Sequence, residues 1–193
     1  RASQWAFPGG EKFHPEYAQH NGKGFFATPD QWLFHLKADT VVAFFGYNES
    51  FDGPGRVANY EAEVEAFVIH SLSKAYNGKN APRLVLVSPI AFEDLSKQRD
   101  LPNGKTENAH LELYAAAMER VAKKHGLTYV DLFKPTLAAY AQAKTPFTIN
   151  GFAPTDAGYR EMAKLLADGL YGPAPRTSKA DESLVNAAVK SKD

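Results

Sequence analysis

Cysteine is absent from the 193-residue sequence, which removes disulfides, thiolate zinc sites, covalent haem attachment and cysteine nucleophiles from these residues. Net charge is absent as well. The 22 Lys and Arg cancel the 22 Asp and Glu, so no long-range field draws in a nucleic acid or an anionic membrane. No stretch approaches the roughly 20 apolar residues that span a bilayer, and no charged-then-apolar leader opens the chain. Neither nucleic-acid binding nor membrane insertion is therefore expected. Internal repeats and low-complexity tracts are also missing. The chain begins at Arg1 rather than methionine and stops in a helix-like run at Asp193, so both ends are expected to be cuts through a longer polypeptide.

What is present suits one α/β domain. Hydrophobic residues make up 44% and aromatics 12%, enough to bury one sizeable core. Residues 1 to 30 mix Gly, Pro, His and aromatics without a sustained period and read as an irregular surface segment. The run from Thr40 to Gly46 is β-branched, apolar or aromatic, and reads as a strand buried on both faces. Val57, Tyr60, Val64, Phe67, Val68, Leu72 and Ala75 then mark one face of a helix stopped by Asn77-Gly78. The alternation repeats: a strand from Arg83 to Pro89, then a helix through Leu111, Tyr114, Met118 and Val121 closed by His125-Gly126. A short strand follows over Thr128 to Leu132, then a helical run through Leu137 and Tyr140 broken at Pro146. A last helix starts from an N-cap at Thr155, with Tyr159, Met162, Ala163, Leu166 and Leu170 on one face.

Strands alternating with helices predict a parallel sheet with helices on both faces, a three-layer α/β/α sandwich. Ligands in such sheets bind at the carboxyl ends of the strands. The loops after Phe45, after Val87 and after Leu132 as far as Asn150 are therefore the ones expected to carry function. Residues 1–172 are expected to form the domain, and residues 173–193 a linker and the start of a further helix.

Two of those loops carry motifs. Phe45-Gly46-Tyr47-Asn48-Glu49-Ser50 resembles the Gly-x-Asn-Asp block of SGNH/GDSL-type hydrolases, with Glu49 where the family has Asp. In that family the glycine allows a tight turn and the Asn amide donates to an oxyanion, a preplaced donor being worth roughly 3 to 4 kcal/mol to a tetrahedral intermediate. Asn150-Gly151-Phe152-Ala153-Pro154-Thr155, followed by Gly158-Tyr159, resembles the family's last block, Asp-Gly-x-His-Pro-Thr-x-x-Gly-Tyr. There the aspartate orients a histidine that takes the proton of a serine nucleophile. Here the two positions hold Asn150 and Ala153, and an alanine cannot move a proton. Ala6-Phe7-Pro8-Gly9-Gly10 is similar to the family's second block, with Ala6 where a backbone-donating glycine usually stands. The serine block of active members has no counterpart in this sequence.

The resemblance covers roughly residues 1 to 171 and implies a flavodoxin-like SGNH fold lacking its N-terminal part. It is nearest to the SGNH-like domain of large secreted bacterial proteins that often carry a haem-binding region elsewhere; members of that branch tend to keep Asn-Gly-x-His where Asn150 to Ala153 stands. The implied activity is hydrolysis of a carboxylic ester, such as one on an acetylated carbohydrate, in a secreted or periplasmic setting. No cofactor is needed for that chemistry, Gly46, Asn48 and Ala6 are the expected oxyanion positions, and activity is expected to be impaired at Ala153. A small-molecule or carbohydrate ester and other segments of the same polypeptide are the expected partners. The alternatives are a non-catalytic module that binds a small molecule or glycan, and a structural domain.

The remaining chemistry-bearing residues read more plainly. His14 and His20 lie near Glu11 and Glu16 without the spacing of a zinc site. His35 reads as a packing or capping residue, and His70, His110 and His125 fall on helices, the last where a cation suits a helix C-terminus. Ser3, Ser50, Ser71 and Ser88 have the nucleophile's residue type but none has its sequence context. The aromatics Trp5, Phe7, Phe13, Tyr17, Phe25, Phe26, Trp32 and Phe34 either pin an irregular segment or stack on sugar rings. Without a strand beside it, the 40–46 strand becomes a sheet edge, and a hydrophobic edge is expected to be covered by another segment.

Overall fold

A computed structural model describes residues 29–173 and residues 183, 184, 186 and 187. A short helix α1 (Pro29–Leu36) leads into strand β1 (Thr40–Phe44). A one-turn helix α2 (Tyr47–Ser50) and a 3-10 turn (Pro54–Arg56) connect it to α3 (Val57–Leu72). Strand β2 (Arg83–Val87), α4 (Lys105–Lys124), β3 (Thr128–Val130), α5 (Phe133–Gln142) and α6 (Asp156–Tyr171) complete the order. The helix expected from Thr155 has that cap, because the Thr155 hydroxyl accepts from the Gly158 amide at 3.1 Å and satisfies one of the first-turn donors. Residues 183, 184, 186 and 187 are helical.

The three strands are parallel in the order β1-β2-β3. Their register aligns Phe44 with Val87 and Val87 with Val130, so all three carboxyl ends stop in one row. The turns that follow, beginning at Phe45, Ser88 and Asp131, open on a single rim of the sheet.

Alternation along β2 sorts the core. Leu84 and Leu86 point to one face with Ala43 of β1, where Tyr60, Val64 and Phe67 of α3 and Tyr114, Met118 and Val121 of α4 cover them. Val85 and Val87 point to the other face with Val130 and Leu132, under Leu165, Leu166 and Leu170 of α6. Helices on both sides of a parallel sheet make the three-layer sandwich that the strand and helix pattern predicts.

One expectation for β1 is corrected. Ala43 is buried, but Val42 is 40% and Phe44 55% exposed, so the strand is not buried on both faces. The reason is position: β1 is the edge of the sheet, and α6 packs over β2 and β3 rather than over it. No described residue pairs with its outer edge. Helix α1 is held from elsewhere, because Asp30 accepts from the Tyr76 hydroxyl at 2.7 Å and pairs with His70 Nε2 at 2.8 Å.

Candidate active site

The first motif forms the turn at the end of β1. Gly46 has φ 105°, a left-handed conformation open to glycine. A side chain there would also collide with Tyr60, whose hydroxyl lies 2.8 Å from where a Cβ would sit. The Gly46 amide donates to Glu49 Oε2 at 3.1 Å, and Glu49 is buried. Glu49 therefore closes the turn on itself. Burial, and then the Glu49 charge, hold the Tyr60 hydroxyl well above its ordinary pKa. Gly46, expected among the oxyanion positions, contributes the turn rather than a free N–H. Asn48 is exposed on the rim, and it is among the residues lining the cavity described below.

The second motif forms a closed loop between α5 and α6. The Ile149 amide donates to the Ala153 carbonyl and the Thr155 amide to the Phe147 carbonyl, both at 2.8 Å. Asn150 Oδ1 accepts from the Ala153 amide at 2.9 Å, an Asx-type contact that places the two motif positions on one turn. Gly151 has φ 95°, and a Cβ on it would fall 2.2 Å from the Phe92 ring. Phe92 thus fills the floor under the loop.

Glu93 holds this loop from below, and the sequence reading did not single it out. One carboxylate oxygen accepts from the Phe147 amide at 3.0 Å, and the other from the Thr148 amide and hydroxyl at 2.6 Å each. Its own amide donates to the Gly151 carbonyl at 2.7 Å. The available signal was the acidic pair Glu93-Asp94 ending the apolar stretch after Ser88.

The two motif loops meet through their aromatics. Tyr47 and Phe152 stack with centroids 4.9 Å apart and planes inclined by 29°. Burial, helped by the Glu107 charge, pushes the Tyr47 hydroxyl up to about 12. Beside the stack lies an open cavity of about 520 Å³, with Gly46, Asn48 and Ser88 at its polar end and Phe44, Ile90, Met162 and Leu166 along its apolar wall. Phe152 lines this cavity, whereas Asn150 and Ala153 are not among its lining residues.

The other candidates have structural roles. Ser88 is buried, and its hydroxyl accepts from the Leu132 and Phe133 amides at 2.8 and 3.0 Å, which ties the β2 end to the start of α5 and leaves no attacking geometry. The Ser50 hydroxyl donates to the Tyr47 carbonyl at 2.6 Å, and Ser71 is buried on α3. His125 caps α4 and pairs with Glu65 at 2.9 Å, His70 serves Asp30, and His35 stands edge-on to Trp32 at 5.9 Å. Phe34 stands edge-on to Tyr76 at 5.0 Å. Among the described residues no group of three or more His, Asp or Glu suits a metal ion. Ala6, Ser3, His14, His20 and the aromatics of residues 1–28 lie outside the described residues.

No protein-family model matches the sequence, and no curated protein matches it. Solved structures do share the fold. The chain is similar to an α/β hydrolase enzyme from the metagenome of Lake Arreo, Spain, at 18% identity and a TM-score of 0.56. It is similar also to a catalytic Ser-to-Ala mutant of an acetylxylan esterase from Geobacillus stearothermophilus, at 14% identity and a TM-score of 0.55. Each likeness covers 74% of this chain and 64% of the other, so the chain spans less than two thirds of those proteins' length. A further structure of that esterase is a catalytic His-to-Ala mutant, at 14% identity, a TM-score of 0.55 and the same coverage. What the chain shares with these structures is the α/β fold built on a parallel sheet.

Proposed function

We propose that this chain is the C-terminal part of an SGNH-type carboxylic ester hydrolase domain, acting on a small or carbohydrate ester such as an acetylated sugar. Its setting is a large bacterial polypeptide, secreted or periplasmic, with a haem-binding region elsewhere in the chain. The observation that carries the reading is the meeting of the two motif loops on one rim of the sheet through the Tyr47–Phe152 stack. In this reading Asn48 donates to the oxyanion that forms when the ester carbonyl is attacked. The serine that attacks comes from residues outside this chain. Positions 150 and 153 are where the acid and base belong; in the Geobacillus esterase the catalytic mutants replace an aspartate and a histidine three residues apart, which is the spacing of Asn150 and Ala153.

Ala153 has no proton to exchange, so the second step of the reading is that the natural activity is impaired at general-base catalysis. General acid–base groups contribute about 10²- to 10⁴-fold to such reactions. Hydrolysis of p-nitrophenyl acetate by the polypeptide that includes the residues preceding Arg1, with and without Ala153→His, tests this. The expected result is a rise in kcat/KM of about 100-fold or more in the variant. No rise sinks the impaired-enzyme reading and favours a non-catalytic module that keeps the crevice. The presence of Asn150 and Ala153 in the two proton-handling positions is what supports that second reading, and a binding screen with acetylated sugars separates a glycan-binding module from a purely structural one.

A further inference from the structure

We infer that Glu93 is a positioning residue of this site: by fixing the backbone of the 147–151 segment it decides where the side chains at positions 150 and 153 stand relative to the turn at Gly46. The inference rests on the hydrolase-type reading above.

Glu93 is only 4% exposed, and the hydrogen bonds to its carboxylate come from uncharged donors: the Phe147 amide, the Thr148 amide and the Thr148 hydroxyl. A buried carboxylate without a cation is costly unless hydrogen bonds satisfy it. Packing alone would be served by an apolar residue of the same size. An acceptor-only group is what this place requires, because three donors converge on two oxygens. Glutamine would set an N–H against an N–H. Aspartate would fall short by one methylene, about 1.5 Å.

The hydrogen bonds run in series. The Gly151 amide donates to the Thr148 hydroxyl at 3.1 Å, and that hydroxyl donates on to Glu93 at 2.6 Å. The Glu93 amide returns to the Gly151 carbonyl at 2.7 Å. Both backbone groups of Gly151 are thereby tied to Glu93, one directly and one through Thr148. Gly151 stands between Asn150 and Phe152, so the fixed point lies next to both the Asx-type turn and the ring that stacks on Tyr47. None of these bonds involves the side chain of position 150 or 153. Glu93 acts through the loop.

The test uses the full-length polypeptide carrying Ala153→His as the parent, with Glu93→Gln, Thr148→Val and Thr148→Ser added singly. Three readouts are taken: amide hydrogen exchange at residues 147, 148 and 151, the NMR titration of the imidazole introduced at position 153, and kcat and KM for p-nitrophenyl acetate. Glu93→Gln and Thr148→Val are expected to speed exchange at those amides by about tenfold or more while β2 amides keep their protection, and to move the imidazole titration. Misplacement of the loop should lower kcat by roughly 10- to 100-fold with KM held within about twofold. Thr148→Ser keeps the hydroxyl and should restore parent behaviour in all three readouts. Unchanged loop exchange in both disrupting variants overturns the inference. So does an imidazole titration that stays put while the loop loosens. A parent without activity overturns the hydrolase reading, and the exchange and titration readouts then decide the role of Glu93 by themselves. Should Glu93→Gln fail to fold, Thr148→Val carries the same decision.

Discussion

The two faces of the sheet are built from the same three strands and finished differently. On the face of α3 and α4, Tyr60, Val64, Phe67, Tyr114 and Met118 are all but completely buried against Ala43, Leu84 and Leu86. On the face of α6 the cover stops at β2 and β3, and the edge strand presents Val42 and Phe44. The first face is closed by residues of this chain alone. Apolar side chains of the edge strand on the second face are left partly uncovered by the described residues. The cavity beside Gly46 and Asn48 opens along that second face, with Phe44 in its wall. The site is therefore bounded by a finished core on one side and an open one on the other.

Three substitutions sharpen the contrast when stability is read by urea unfolding. The largest effect is expected on the closed face. Phe67 is 1% exposed and stands edge-on to Phe45 at 5.0 Å, so Phe67→Ala should cost about 3 to 5 kcal/mol. An intermediate effect is expected where the rim is tied together. Ser88→Ala strands the Leu132 and Phe133 amides without their acceptor and should cost about 1 to 3 kcal/mol. The smallest belongs to the open face, where Phe44→Ser should change stability by no more than about 0.5 kcal/mol. A Phe44→Ser cost close to that of Phe67→Ala would break the comparison, since it would mean that the second face is covered as fully as the first.

Much of the fold was legible because each element advertises its period. Leu84 to Val87 is a continuous apolar run of the kind a central parallel strand needs, and Tyr60, Val64, Phe67 and Val68 repeat at helical spacing. Thr155 is a capping residue placed just before a helix, and it caps. The same rules overreached at β1, because a run such as Val41 to Phe45 states that its residues are apolar and not which neighbour covers them. Gly46 and Asn48 were singled out by one motif, and Asn150 and Ala153 by the other. Glu93 was not found, because its partners at Phe147 and Thr148 lie more than fifty residues away along the chain and no local pattern links them.

The sequence by itself determined the alternation of strands and helices, the loops on which the two motifs lie, and the presence of an alanine at position 153. These are matters of local period and of residue chemistry, and they hold whatever the chain packs against. Only the tertiary structure decided that the Gly46 amide is taken by Glu49, that Phe152 stacks on Tyr47 and that Glu93 fixes the second loop. Each of those joins groups whose contact depends on distance and direction in space. A hydrogen bond or ring stack exists only within a few tenths of an ångström of its proper geometry, and that geometry is set by the folded chain.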